Sequence, residues 1–143
     1  MTVPSAWEEG TCAECGRGLL EDGPARRIEA AWDRDGQHPV LDFLRKLKNG
    51  TLSRARKEHL FDLLIRYEDY CTTGTLSIPG ELNHLADDIW EIKAQNLRTP
   101  FFPSNPDQPF TLRATHGFVK GTRKTPLKEI DKAKAIRQED HKR

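Results

Sequence analysis

Long apolar runs are missing from this chain of 143 residues. No stretch approaches the roughly 20 consecutive apolar residues that a membrane-spanning helix needs, so we expect no integral membrane protein. The first ten residues have neither a basic start nor an apolar stretch, and they do not resemble a secretory signal. Only 3 cysteines are present, which cannot form a closed disulfide framework. These absences favour a protein of the reducing cytoplasm.

A net charge of one sign is also lacking, because 23 Lys and Arg stand against 22 Asp and Glu. The two ends nevertheless differ. Residues 1–25 hold one basic and five acidic residues, whereas residues 113–143 hold ten basic and four acidic residues. A basic C-terminal quarter is typical of proteins that contact a polyanion, although a solvated helix can have the same composition.

The length and composition predict one globular domain with short flanking segments. With 3 Trp, 6 Phe and 2 Tyr, the chain has enough large side chains to build a core. Residues 1–25 are rich in Gly and acids, and we interpret them as an irregular acidic arm. Residues 26–137 form the expected folded domain, and residues 138–143 form a basic tail.

Three helices are predicted from apolar residues at helical spacing. The first covers residues 39–49, with Pro39 at its first position and an Asn-Gly stop at its end. The second covers residues 53–72, with Ser53 as its N-cap. The last begins at residues 125–126, where Thr125 is the predicted N-cap and Pro126 the first helical residue.

Strands are predicted where the apolar pattern has a period of two. These segments are residues 27–32, 89–93, 97–102 and 110–118. Pro100 cannot donate a ladder hydrogen bond, which predicts that residues 97–102 lie at a sheet edge, form a bulge or end there. In the last strand, alternation places His116 on the same side as Phe118. The order of strand, two helices, three-stranded antiparallel meander and helix predicts an α+β fold.

One motif in the C-terminal half is specific enough to identify a family. It runs from Leu85 to Ala133, and a Pro-Val-x-x-Phe-Leu-x-x-Leu helix at residues 39–47 precedes it. Its elements, in chain order, are Leu85, Trp90-Glu91-Ile92-Lys93, Leu97-Arg98, His116-Gly117-Phe118-Val119-Lys120, Lys124-Thr125-Pro126, Glu129-Ile130 and Lys132-Ala133. This pattern resembles the phage-derived, HigB-like branch of the RelE/ParE toxin superfamily, over about 110 residues.

The resemblance implies a small toxin of a type II toxin-antitoxin system with a RelE-like fold. RelE-like and HigB-like members are metal-independent endoribonucleases that cut mRNA on the ribosome. Their partners are the ribosome, mRNA and a co-encoded antitoxin, here expected to be of the helix-turn-helix type. Two alternatives stay open, namely a ParE-like toxin that poisons DNA gyrase and a non-catalytic phage accessory protein that binds a host protein or nucleic acid.

Cleavage of RNA without a metal requires deprotonation of the 2′-hydroxyl, stabilisation of the phosphorane charge and neutralisation of the departing 5′-oxygen. Basic side chains can perform these tasks. The catalytic candidates are Arg98, Lys93, His116 and Lys120. The candidates for RNA or ribosome contact are Arg113, Arg123, Lys124, Lys128 and Lys132.

His116 has two open interpretations. Its ordinary pKa near 6.5 suits acid–base catalysis at neutral pH. Its position beside Phe118 on an apolar side favours a core-facing, hydrogen-bonded histidine instead. For Arg98 the family resemblance favours a phosphate contact, on what the sequence predicts to be an edge-like strand.

Cys12 and Cys15 form a Cys-x-x-Cys pair, which is half of a zinc site. Zinc requires four ligands, and no second pair with suitable spacing is visible. We therefore expect no cofactor, and keep Cys12 and Cys15 as a weak metal-ligand candidate.

Overall fold

The computed structural model describes residues 18–49, 56–121 and 124–143, and its architecture is α+β. The strands are β1 (Leu19–Asp22), β2 (Arg27–Ala30), β3 (Leu82–Ala86), β4 (Ile89–Ala94), β5 (Leu97–Pro103), β6 (Thr111–Ala114) and β7 (Phe118–Val119). The helices are α1 (Pro39–Lys48), α2 (Arg56–Thr73) and α3 (Leu127–His141). Ser53 and Gly50, the predicted helix boundaries between α1 and α2, lie outside the described residues.

The described strands form one mixed sheet of seven strands in the order β1-β2-β6-β5-β4-β3, with β7 paired to β5. The β2–β6 pair is parallel, and the other pairs are antiparallel. The predicted meander is therefore confirmed as β4-β5-β6, and β3 extends it by one strand. Helix α1 confirms the prediction for residues 39–49, including the proline in its first turn.

Helices α1 and α2 cover one face of the sheet, which we call the hairpin face. Their buried stripes pack with inward side chains of β2, β4, β5 and β6 into the main core. Phe43, Leu44, Leu63 and Phe118 are buried. Trp90 is half-buried and packs against the same core. The two long helices thus stabilise one side of the sheet by apolar burial.

Helix α3 covers part of the opposite face, which we call the α3 face. Its small apolar contact consists of Ala133 and Ile136 against Ala31, Ile89 and Phe102. Polar side chains make the other contacts that hold α3 against the sheet. They include the ion pairs Arg113–Asp140 and Arg137–Asp88 and the hydrogen bond between His116 and Glu129.

The prediction that residues 97–102 lie at an edge, form a bulge or end at Pro100 is wrong. Strand β5 pairs with β4 without a register shift, continues to Pro103 and lies inside the sheet between β4 and the β6–β7 segment. The carbonyl oxygen of Pro100 accepts a hydrogen bond from Thr115 N at 2.9 Å. A residue's N and O point to the same side of a strand, so the missing N–H of Pro100 faces the gap between β6 and β7. No ladder donor is needed at that position, and the proline is therefore tolerated in a central strand.

The predicted strand at residues 110–118 is interrupted at residues 115–117, which separate β6 from β7. Gly117 explains the close packing there, because a Cβ at this residue would lie 1.9 Å from Phe43 Cδ2. The alternation also fails at Phe110, which is exposed. The interruption brings the chain close to α1 and turns His116 toward α3.

The predicted irregular arm is wrong for its described part. Residues 19–22 form β1, and Leu20 is buried in the main core. Residues 1–17, including Cys12 and Cys15, lie outside the described residues. At the other end, α3 extends to His141 instead of ending before a tail at residue 138.

Thr125 does not cap α3 as predicted. The helix begins at Leu127 with Pro126 as N-cap residue and without a side-chain cap. The Thr125 hydroxyl instead donates to the carboxylate of Glu91 on β4. The Thr125 hydroxyl therefore bonds to a side chain distant in sequence and not to the main chain at the helix end, as the sequence pattern predicts.

Candidate functional site

Three of the four catalytic candidates lie together on the α3 face, at the end of the sheet where β5 begins. Lys93 of β4 is directly opposite Arg98 of β5 in the strand register. Arg98 is in turn opposite Phe118 of β7, and Lys120 follows two residues later. We call Lys93, Arg98 and Lys120 the cation cluster. Strand pairing brings these residues together although 27 positions separate Lys93 from Lys120.

Arg98 faces away from the hairpin helices because its neighbour Thr99 bonds to Tyr67 of α2, at 2.8 Å between the hydroxyl oxygens. The Arg98 side chain is held by its own strand end. Its Nη1 donates to the carbonyls of Gln95 at 2.7 Å and Leu97 at 2.8 Å. This geometry fixes the guanidinium before any ligand arrives.

The same guanidinium does not use all of its hydrogen-bond donors. Arg98 is only 8% exposed, and its buried Nε has no hydrogen-bond partner among the described residues. Burial lowers the pKa of Arg98, and the nearby Glu91 charge opposes that shift. An arginine stays protonated under these conditions, so one buried N–H of this cation lacks an acceptor among the described residues.

Lys120 lies in the field of the other two cations. Partial desolvation lowers its pKa, as do the charges of Arg98 and Lys93, while Glu91 acts in the opposite direction. The pKa of Lys120 is therefore below its ordinary value, which makes its proton easier to transfer. Lys93 is positioned by a hydrogen bond from its Nζ to the Pro79 carbonyl at 2.9 Å.

Glu91 is a site residue that the sequence interpretation missed. Its carboxylate is fully buried on β4 and accepts from the Thr125 hydroxyl at 2.8 and 2.9 Å and from Asn83 Nδ2 at 3.3 Å. It balances the charge of Arg98 and Lys120. The available signal was an acidic residue between the apolar residues Trp90 and Ile92.

His116 is placed apart from the cation cluster and is 1% exposed. Its Nδ1 lies 2.9 Å from the Thr115 hydroxyl and its Nε2 lies 3.3 Å from a Glu129 oxygen. Burial, aided by the charge of Lys132, lowers the pKa of His116 to about 3. The ring is therefore neutral at physiological pH despite the ion-pair distance to Glu129. Because a carboxylate can only accept, the ring proton belongs on Nε2 and Nδ1 accepts from Thr115.

This environment agrees with the core-facing interpretation of His116. Both ring nitrogens have partners, and the histidine joins the interruption of the sheet to the first turn of α3. A role in acid–base catalysis stays a prediction that the structure does not support.

The candidates for RNA contact fall into two groups. Arg113 is held in an ion-pair network, at 2.7 Å from Asp140 and 3.5 Å from Glu29, and its side chain is 17% exposed. Its position indicates attachment of α3. Exposed side chains form the second group, comprising Lys124, Lys128 and Lys132. Arg123 lies outside the described residues.

The metal-ligand candidates Cys12 and Cys15 precede the first described residue. The expectation that the protein holds no zinc there stays a prediction. Within residues 18–49, 56–121 and 124–143 there is no group of three His, Cys, Asp or Glu side chains able to hold a metal ion. Cys71 is buried on α2, and burial raises the pKa of its thiol to about 12.

In the part of the chain that the structure describes, no helix combines the length and the apolar character required to cross a bilayer. No protein-family model matches the chain, and no curated protein matches it either. The family resemblance therefore rests on the motif between Leu85 and Ala133 and on the helix that precedes it.

Proposed function

We propose that the protein is a RelE-like, ribosome-dependent endoribonuclease that cuts mRNA without a metal. The observation that carries this proposal is the cation cluster, in which Lys93, Arg98 and Lys120 converge and Arg98 keeps an unpartnered Nε. The α+β architecture, with a helical hairpin on one face and the cluster on the other, is compatible with the RelE-like fold that the motif implies.

Arg98 is the residue that stabilises the phosphorane. Its guanidinium is held by two main-chain carbonyls, so it meets the developing negative charge with little reorganisation. A fixed cation that stabilises only the transition state contributes about 3–4 kcal/mol, or roughly 10²–10³ in rate.

Lys120 donates the proton to the departing 5′-oxygen, because its lowered pKa eases proton release. Lys93 orients the scissile phosphate from the neighbouring strand. Glu91 is too buried to reach the substrate, and its charge acts on Arg98 and Lys120 instead. Among the described residues of the cluster there is no accessible base. We attribute the removal of the 2′-hydroxyl proton to the ribosome or its solvent, which explains a dependence on the ribosome.

The remaining family properties accompany this proposal. The protein would act in the cytoplasm, and a co-encoded helix-turn-helix antitoxin would neutralise it. The exposed lysines Lys124, Lys128 and Lys132 would contact ribosomal RNA.

The test is the induction of the protein in bacteria together with two versions of one reporter transcript, which differ only in the start codon. We expect growth arrest and new 5′ ends within the coding region of the translated version, mapped by primer extension, and none in the untranslated version. A DNA-damage response with intact mRNA would favour the gyrase-poisoning alternative. Normal growth with intact mRNA would favour the accessory protein.

A further inference from the structure

The turn between β4 and β5, which consists of Gln95 and Asn96, contacts two members of the cation cluster through its main chain. The carbonyl of Gln95 accepts from Arg98 Nη1 at 2.7 Å, and the carbonyl of Asn96 accepts from Lys120 N at 2.7 Å. The third member, Lys93, lies just before the turn in the chain. The conformation of this turn therefore determines how the three cations are placed relative to one another.

Gln95 adopts a backbone conformation that disfavours a side chain. Its φ is 56°, in the left-handed region where glycine is the usual residue of a tight β-hairpin turn. A residue with a Cβ persists in this region when the surrounding structure holds it there. Such a contact exists, because Gln95 Nε2 donates to Asp62 Oδ2 of α2 at 3.2 Å. A glycine could adopt the turn more easily but could not make this contact.

Helix α2 contacts the turn and the end of β4 through one polar side. His59 Nδ1 lies 3.1 Å from Asn96 Oδ1, and it is the donor because an amide oxygen only accepts. Asp62 makes the contact just described, and Arg66 Nε donates to the Lys93 carbonyl at 3.1 Å. Spacings of three and four residues place these side chains on the same side of the helix. We call His59, Asp62 and Arg66 the α2 polar stripe.

Apolar packing attaches α2 to the sheet independently of this stripe. Leu60 and Leu64 are among its side chains buried in the main core. Arg66 also pairs with the carboxylate of Glu81, whereas the hydrogen bonds of the other two stripe residues go to the turn. Removal of these two side chains should therefore leave the core in place and loosen the turn.

We propose that the α2 polar stripe consists of positioning residues, which hold the β4–β5 turn so that its two carbonyls present Arg98 and Lys120 to the same phosphate. This inference rests on the proposed function, and it assigns α2 a role in the reaction beyond apolar packing. The stripe residues act through the turn and do not touch the RNA. A misplacement of reacting groups by about 1 Å can cost roughly 10²-fold in rate, even when the change is far from the chemistry.

The experiment compares the purified full chain with three double variants. The test variant is His59→Ala/Asp62→Ala. The conservative variant, His59→Asn/Asp62→Asn, keeps an amide donor at the first position and an acceptor oxygen at the second. The matched control is Glu58→Ala/Asp69→Ala, which removes two exposed side chains of the same helix outside the stripe.

The first measurement is hydrogen exchange of the Lys120 amide by NMR, which requires no activity. This amide is bonded to the Asn96 carbonyl, so its exchange reports opening of the turn. Loss of two hydrogen bonds of ordinary strength shifts a local opening equilibrium about tenfold, and we expect exchange in the test variant to be faster by that factor. The Leu64 amide in the middle of α2 should exchange as in the parent. The conservative variant and the control should match the parent at both amides.

The second measurement is the cutting of mRNA on programmed ribosomes over a range of ribosome concentrations. We expect the maximal rate of the test variant to fall about 10- to 100-fold. The half-saturating ribosome concentration should not change, because the stripe positions the cations without contacting the ribosome. The conservative variant should recover most of the rate.

An unchanged exchange rate of the Lys120 amide in the test variant would overturn the proposal. Equal acceleration at Lys120 and Leu64 would also overturn it, as would a conservative variant that behaves like the test variant or a loosened turn with the parent's cutting rate. If the parent cuts mRNA and the test variant matches it in both measurements, the positioning role fails and the proposed function stands. If the parent cuts nothing while exchange at Lys120 responds as expected, the stripe does hold the cluster and the proposed function fails.

Discussion

At the scale of single residues, the His-Gly-Phe motif has a structural explanation. His116 is buried between Thr115 and Glu129, Gly117 lies against the ring of Phe43, and Phe118 is opposite Arg98 in the β5–β7 pair. Each residue fixes one contact of the sheet interruption, with α3, α1 and β5 respectively. The motif therefore positions the site, and the cations beside it carry the charge.

Replacing Gly117 with alanine tests this explanation. A Cβ 1.9 Å from Phe43 Cδ2 forces the ring or the strand to move, and such overpacking costs about 1–3 kcal/mol. We expect Gly117→Ala to lower the free energy of unfolding in urea by that amount. Gly121→Ala is the matched control, because no atom lies within 4 Å of a Cβ there. Equal stability of the two variants would refute the close packing.

His116 predicts a pH dependence of stability. Its pKa in the folded protein is about 3, well below the ordinary 6.5, so the unfolded chain binds a proton first as the pH falls. Stability is complete above pH 6.5 and decreases toward acid, by about 1–2 kcal/mol between pH 6.5 and 5 from this group. Urea unfolding at both pH values measures the loss. In NMR spectra the His116 ring signals should not shift between pH 8 and 5, and a midpoint near 6.5 would show that the ring is not buried as described.

At the scale of elements, α3 is attached mainly through polar contacts. Asp140 is completely buried and accepts from Trp32 N at 2.9 Å and from Arg113 Nη1 at 2.7 Å. The apolar part of the contact is limited to Ala133 and Ile136. Since α3 carries the exposed Lys128 and Lys132, the same polar contacts position two of the side chains that we propose for RNA contact.

Asp140→Ala should therefore destabilise the protein strongly. The change leaves Arg113 with only the more distant Glu29 and leaves a main-chain N–H without its acceptor, and breaking a buried ion pair costs about 3–5 kcal/mol. The free energy of unfolding in urea gives the value. Asp131→Ala on the exposed side of the same helix is the control and should change stability by no more than about 0.5 kcal/mol. Similar losses in the two variants would contradict this role of Asp140.

The sequence predicted the elements whose pattern is local. Helix α1 and the strand β4 follow from apolar spacing alone. Strand β1 could not be predicted in this way, because Leu20 is its one fully buried residue and the pairing with β2 supplies the rest. The central place of Pro100 depends on the gap between β6 and β7, which no local rule near residue 100 reveals.

In the candidate site too, some features follow from local sequence patterns and others depend on residues distant in the chain. The convergence of Lys93 with Arg98 follows from predicting two adjacent antiparallel strands. The buried carboxylate of Glu91 accepts from Thr125, which lies 34 residues later in the chain. Long-range partners of this kind determine pKa values and exposure, and a single sequence does not contain them.

At the scale of the whole molecule, the sheet separates the main apolar core from the buried charged side chains. The hairpin face holds the main apolar core, while the α3 face carries the buried charges, with α3 over one part and the cation cluster beside it. A groove of about 390 Å³ lies between α1 and α3 and is lined by residues of both helices. Strand β7 pairs with the start of β5, beside the proposed catalytic residues.

The most direct test of this account is the single-turnover rate at which the purified protein cuts a labelled mRNA on programmed ribosomes. We expect Arg98→Ala to lose roughly 10²–10³ in rate, Arg98→Lys to retain a part of it, and Arg34→Ala, an exposed arginine outside the cluster, to cut like the parent. Thermal unfolding of each variant verifies that it is folded, and Arg98→Lys provides the test if Arg98→Ala does not fold. A folded Arg98 variant that cuts at the parent rate would contradict the assignment of the site to the cation cluster.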